Sequence, residues 1–352
     1  DLEPMLEKVS TAYEAESDLC EQALEALDLL PDPPVTIRMD LQIALGSALG
    51  RSGNIDGAWT QLDRAVHQAR CIGDVERMAR AALAIRPLYV LVAPDDRSRR
   101  VLEEIERRVD ELPPDTSARV LARLAMAAPQ AMPIEKRRDL AHRAGLAAES
   151  SEDPQTQIDV NSARLQSLQG PDTLEDLDQM AQKVSKDAER LQASESTLEA
   201  LASRYLAALM RCDGPSAAHI WQQFGELAAS HPHPLYRWHH QRCETQRWMY
   251  SGRLADAASA FKKMHPIAQT LHPELADLFL RVQKNCLIRL SEDPTRFRHI
   301  EVEPFIKRYR GAGCNLEAGV LLFLAESGRL EAAREGLEQL CRDDCSRITR
   351  GL

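Results

Sequence analysis

The densest grouping of chemically capable side chains in this 352-residue chain is His231, His233, His239 and His240, with Tyr236, Arg237, Trp238 and Arg242 among or beside them. Four imidazoles within ten residues could ligate a transition metal. His231 and His233 each precede a proline, however, and a pre-proline residue is pushed out of the helical region, which fixes both in a rigid connector. His239 and His240 are neighbours on a helix and point about 100° apart. No Cys or carboxylate has the spacing to complete a coordination shell. The cluster reads as a packed or partner-facing aromatic patch, and neither a metal nor a cofactor is expected.

Helical spacing decides which of these side chains share a face. Trp238 and Arg242 are four apart, and so are Arg237 and Gln241, so each pair lies along one stripe; Trp248 returns to nearly the azimuth of Trp238. Trp221, Trp238 and Trp248 are three of only four tryptophans, with Phe224, Tyr236 and Tyr250 nearby, while Trp59 stands alone in the first half. Trp221 and Trp248 are expected to fill grooves between helices. Four consecutive residues from Tyr236 to His239 point all round the axis, so at least one must face outward. Tyr, Trp and Arg also dominate binding hot spots. Tyr236, Arg237, Trp238, His239 and Arg242 are therefore the expected partner- or ligand-binding residues. Arg237 and His239 are the two whose replacement should spare the core.

Other chemistry is missing from the sequence. There is no Gly-rich phosphate loop ending in Gly-Lys-Ser or Gly-Lys-Thr, no Gly-x-Ser-x-Gly elbow and no His-Glu-x-x-His pair. Carboxylates fall beside Arg and Lys on helix faces, as in Glu103-Glu104-Ile105-Glu106-Arg107-Arg108, where a solvated surface explains them better than acid-base catalysis. No catalytic residue is assigned and the chain is read as a non-enzyme. The eight cysteines are scattered singly and read as reduced thiols of a cytoplasmic protein. A net charge of -10 would repel phosphate backbones and anionic lipid, so direct nucleic-acid or membrane binding is not expected. No apolar run reaches the roughly 20 residues that cross a bilayer. Beginning on Asp1 rather than Met, the sequence reads as part of something longer.

The elements that must position these groups are helical hairpins. Ser52-Gly53-Asn54-Ile55-Asp56-Gly57-Ala58, Ser251-Gly252-Arg253-Leu254-Ala255-Asp256-Ala257 and Ser327-Gly328-Arg329-Leu330-Glu331-Ala332-Ala333 share one form, with Gly where a helix takes a left-handed cap before another begins. Around the first, Leu45, Gly46 and Leu49 precede the turn and Ala58, Leu62 and Ala65 follow. That is the tetratricopeptide spacing, in which small residues let two helices approach closely. The other two copies keep less of it: Thr245 and Leu321 stand at the position of Gly46. Prolines at Pro31, Pro33 and Pro34 break a first helical stretch, Gly73-Asp74 caps and restarts the chain, and residues 95 to 112 read as one helix striped by Val101, Leu102, Ile105 and Val109. Further helices are expected at 116 to 128, 133 to 149, 154 to 169 and 173 to 192, as repeats without the Gly and Ala positions. The expectation is an all-α, right-handed tetratricopeptide-like solenoid of about eighteen helices in antiparallel pairs. Residues 1–34 form N-terminal helices and a proline-rich joint, 35–194 the first half of the solenoid and 195–352 the second.

Leu45 to Leu83, running through Leu-Gly-Arg-Ser-Gly-Asn to Ile-Gly-Asp-Val-Glu-Arg-Met-Ala-Arg-Ala-Ala-Leu, resembles the helical arm of large bacterial signal-transduction ATPases of the STAND type. Pro234-Leu235-Tyr236-Arg237-Trp238 leading into Ser251-Gly252-Arg253-Leu254 is similar to a signature of the same arm, as is Val302-Glu303-Pro304-Phe305 through to Leu340. In that family a nucleotide-binding domain precedes the arm, and the output is a LuxR-type DNA-binding domain or a nucleotide cyclase. The resemblance implies a sensor arm that binds a protein partner or small-molecule inducer on a concave surface, regulates the ATPase and output domains of its parent chain, and can self-associate through that parent. A structural adaptor without a ligand is the alternative.

Overall fold

Proline, glycine and short polar caps cut the chain into helices, and a computed structural model describes residues 3–52, 54–85, 96–126, 134–168, 173–190, 193–231, 234–268, 273–291 and 314–342. The helices are α1 (Glu3–Asp28), α2 (Val35–Ser52), α3 (Ile55–Ile72), α4 (Val75–Leu83), α5 (Asp96–Glu106), α6 (Pro114–Met126), α7 (Ile134–Ala147) and α8 (Pro154–Ser167). They continue as α9 (Leu174–Arg190), α10 (Ser194–Met210), α11 (Gly214–Ser230), α12 (Pro234–Tyr250), α13 (Leu254–Ala268), α14 (Pro273–Leu290), α15 (Cys314–Glu326) and α16 (Leu330–Cys341). No strand occurs among the described residues. The expected segment 302–313 and the turn residue Gly53 lie outside them.

Local chemistry accounts for the boundaries. Asn54, Asp74, Asp153 and Asp213 each accept a hydrogen bond from a main-chain N–H in the first turn of α3, α4, α8 and α11, satisfying donors that a helix start leaves open. Gly252 and Gly328 adopt φ of 71° and 82°, the left-handed caps expected at two of the three recurring turns. The single helix expected over 95–112 is instead broken: α5 stops at Glu106, and a short 3-10 turn, Val109–Glu111, follows. The reason is tertiary. Ser117 of α6 donates its hydroxyl to the carbonyls of Val109 (2.8 Å) and Leu112 (3.3 Å), so this stretch is held against α6 rather than continuing α5.

The helices repeat with a period the recurring turns do not reveal. The leading helix of each pair, α2, α4, α6, α8, α10, α12, α14 and α15, begins at 35, 75, 114, 154, 194, 234, 273 and 314, in steps of 39 to 41 residues. The repeat is therefore longer than the 34 residues of a tetratricopeptide unit. It runs unchanged through 95–195 and through the division at 194. From α1 to α14 each helix packs on its chain neighbours, as α15 does on α16, and second-neighbour packing runs α2 to α4 to α6 to α8 to α10, and α12 to α14. All of these are leading helices, packed in one run from α2 to α10 and again between α12 and α14.

Close approach within pairs rests on small residues. A Cβ added to buried Gly46 would lie 2.6 Å from Leu62 Cγ and 3.2 Å from the Ala58 carbonyl, so α2 and α3 meet at that glycine. In the last pair Leu321 replaces the small residue, and the glycine has moved across the interface: a Cβ at Gly336 of α16 would meet the Leu321 side chain at 2.3 Å.

Close approach between leading helices rests on polar links. Counting from each helix start, the sixth residue is Asp40, Arg80, Arg119, Asp159, Glu199 and His239 in α2, α4, α6, α8, α10 and α12. Arg80 bonds Asp40 at 2.8 Å, with Arg77 on the same carboxylate. Arg119 bonds Asp159 at 3.0 Å, and Arg123 lies 3.8 Å from it. Ser162 donates to Glu199 at 2.9 Å. Asp159, Arg123 and Glu199 are all buried, so these charges persist only because they are paired or hydrogen-bonded.

Two substitutions test this packing. Gly46→Leu overpacks the α2/α3 contact and is expected to lower the free energy of unfolding in urea by about 1 to 3 kcal/mol. Asp159→Ala leaves Arg123 buried without its carboxylate and is expected to cost about 3 to 5 kcal/mol in the same measurement. Wild-type stability in either variant would refute the corresponding contact.

A candidate recognition recess between three helices

The aromatic segment singled out in the sequence begins where Pro234 opens α12, after the connector that follows α11. α11 presents Trp221 and Phe224 one turn apart, their rings stacked with centroids 4.6 Å apart. Tyr205 of α10 meets Trp221 at 4.3 Å from one side, and His240 of α12 stacks on it at 5.4 Å from another. His239 stands edge-on to Trp221 and to Phe224, at 5.6 and 5.4 Å. The result is an apolar knot of rings from three helices. The Trp221 indole N–H within it is buried and has no hydrogen-bond acceptor, so ring contact rather than hydrogen bonding holds that side chain.

This geometry separates the five expected binding residues. Tyr236 and Trp238 are 1% and 0% exposed, and His239 is 5% exposed. The expectation that replacing His239 spares the core is thereby corrected: its ring is part of the packing against α11. The outward-facing member of the four consecutive residues is Arg237, which is exposed, and Arg242 is half-buried. Arg242 donates to His239 Nδ1 at 3.1 Å, while its main-chain carbonyl accepts from Gln283 of α14 at 2.6 Å. Trp221 is fully buried, as a groove filler should be; Trp248 is half-buried, with the Arg253 guanidinium 4.1 Å over its ring.

Arg237 opens into a recess of about 270 Å³. Gly225, Ala228 and Ala229 of α11 form one wall, Lys263 and Ile267 of α13 the other, and Arg237, His240 and Gln241 of α12 the floor. Sequence reasoning paired Arg237 with Gln241 on one stripe but did not find Lys263 or Gly225, whose proximity depends on how α11 and α13 flank α12. Gly225 is required here, because a Cβ there would stand 2.4 Å from His240 Nε2.

Among the described residues no three His, Cys, Asp or Glu side chains group to hold a metal. His231 meets Tyr236, while His239 and His240 turn to α11; His233 lies outside the described residues. Cys20, Cys71, Cys212, Cys243, Cys286 and Cys341 are free thiols. No described helix is long and apolar enough to cross a membrane. Compared with known proteins, the chain matches no family model, and no curated protein is significantly similar to it in sequence.

Burial fixes the protonation of the knot. His239 is held well below the usual imidazole value of 6.5, first by burial and then by the charges of Arg242 and His240. Because Arg242 donates to Nδ1, the neutral ring carries its proton on Nε2, toward the Cys243 sulfur 4.0 Å away. His240 is shifted the same way, mainly by burial. A depressed imidazole means that the unfolded chain binds more protons below pH 6.5, so folding stability falls as pH drops through that value and is retained above it. The urea midpoint is therefore expected to decline from pH 7 toward pH 5, and His239→Gln is expected to flatten that decline. An unchanged pH profile in His239→Gln would show that the ring does not carry the effect.

Proposed function

We propose that this chain is a non-enzymatic recognition arm: a right-handed helical-repeat solenoid that binds a protein partner or small-molecule inducer and thereby regulates the ATPase and output domains of a bacterial signalling protein. The observation that carries this reading is the unbroken step of 39 to 41 residues between leading helices. An array in which each repeat rests on the next presents one continuous surface, and that architecture serves recognition. The quoted segments at 45–83 and 234–254, which resemble the arms of STAND-type ATPases, supply the ATPase context.

A ligand-free structural adaptor is the competing account, and the disposition of charge favours recognition over it. The inward polar groups from Asp40 to Glu199 are engaged in links between helices. Arg237 and Lys263 border a recess instead, and neither makes an ion pair among the described residues. Recognition is accordingly placed at α11 to α13.

The test uses the complete protein encoded by the gene. Its reading frame is expected to contain a phosphate-binding loop, the isolated arm is expected to turn over no ATP, and Arg237→Ser is expected to change ATP turnover of the complete protein by about fivefold or more, the lower range of allosteric coupling. A complete protein without a nucleotide-binding domain would overturn the ATPase context. Turnover indifferent to Arg237→Ser would leave the adaptor.

A further inference from the structure

The recess at α11 to α13 has a chemistry that narrows what enters it. Its two charged lining residues, Arg237 and Lys263, are both cationic, stand on different helices and are both exposed. No carboxylate lines it. Two carboxylates on α12 and α11 are already held, Glu244 by Arg247 at 2.6 Å and Glu226 by the Gln222 amide at 3.0 Å. Two cations and no carboxylate thus meet at one depression of a chain whose net charge is -10.

The remaining lining suits an oxyanion. Gly225, Ala228 and Ala229 present almost no side chain, so a ligand can lie close against α11. Gln241 lies one turn beyond Arg237 on the same face of α12, offering an amide donor beside the guanidinium. His240 closes the floor, held flat over Gly225 by its stack on Trp221. A guanidinium fork recognises two oxygens of a carboxylate or phosphate at once, and an ammonium supplies a movable point charge opposite it. The volume lies just below the range of drug-sized pockets, which limits the ligand to a small molecule.

We propose that this recess is a binding site for a small doubly charged oxyanion, a phosphate monoester or a dicarboxylate, with Arg237 and Lys263 as its charge partners, Gln241 as a neutral donor and Gly225 making room for the His240 ring. The assignment rests on the recognition-arm reading for its biological sense, but its test does not. Inorganic phosphate and succinate are titrated separately into the purified protein by calorimetry at low salt. At least one is expected to bind saturably and to weaken as salt is added. Arg237→Ser and Lys263→Ser, both surface changes, are each expected to weaken that binding about tenfold or more, the loss of a charge-assisted contact. Lys262→Ser, exposed on the same helix but outside the recess, is expected to leave it unchanged. Binding of phosphate alone identifies a phosphoryl site, and binding of succinate alone a dicarboxylate site. Failure of both probes, or an equal loss in Lys262→Ser, would overturn the anion site. The recognition arm would then stand or fall on the turnover of the complete protein carrying Arg237→Ser.

Discussion

From α2 to α10 each leading helix touches both a hairpin partner and a neighbouring leading helix, and the second contact sets the terms for much of the molecule. It buries the inward side of helices whose sequences are not apolar there: α8 alone buries Thr156, Asp159, Asn161, Ser162 and Ser167. Burying such groups is unfavourable unless each finds a partner. The partner comes from the adjacent repeat at nearly constant spacing, as with Arg119 to Asp159 and Ser162 to Glu199, while the partly exposed pair of Arg80 and Asp40 repeats the spacing nearer the surface. Polar complementarity thus contributes to the register between repeats, and an apolar core continuous from α2 to α8 supplies the bulk of the burial there. A slip of one residue would present these charges to the wrong groups.

How much of this could be read beforehand depended on whether the signal was local. Gly46, Ala58 and Leu62 announced the first pair because close helix approach demands small residues at particular positions, and Gly73-Asp74 announced a stop and restart because capping is a matter of adjacent residues. The repeat was hidden by its own chemistry. Between 95 and 195 the position of Gly46 carries Ala125 and Leu165, and the leading helices bury Ser117, Arg123, Asp159 and Ser162, whose burial makes sense only once the partner across the interface is known. A signal was nevertheless present: Pro114, Pro154, Pro234 and Pro273 all open leading helices, and they stand at multiples of about 40 residues, the length of a longer class of helical repeat.

The candidate site shows the same division. Spacing on one helix correctly required that one residue of Tyr236 to His239 face out, and Arg237 does. It could not say which, because that depends on α11. His239 occupies the sixth position, where the preceding repeats place a linking charge. Its polar contacts, however, stay within α12, to Arg242 and Cys243, and its ring turns to Trp221 and Phe224. The ladder of polar links is replaced at that joint by stacked rings, and the recess lies on α12 next to it. Aromatic content, conspicuous in the sequence, marks the place where the packing rule changes rather than a surface made of aromatic rings.

The two rows of helices are also held by forces of different kinds. Leading helices are in direct contact, whereas α3, α5 and α7 of the returning row are bridged by Arg70 to Glu104 at 2.6 Å and Arg143 to Glu106 at 2.9 Å, all partly exposed. Exposed ion pairs of this sort contribute at most about 1 kcal/mol each and weaken with salt. Spreading the returning row at this stretch therefore strains hydrated struts, while separating α6, α8 and α10 would have to prise apart buried polar links. Ionic strength would thus act on the struts between α3, α5 and α7 more than on the buried links between α6, α8 and α10.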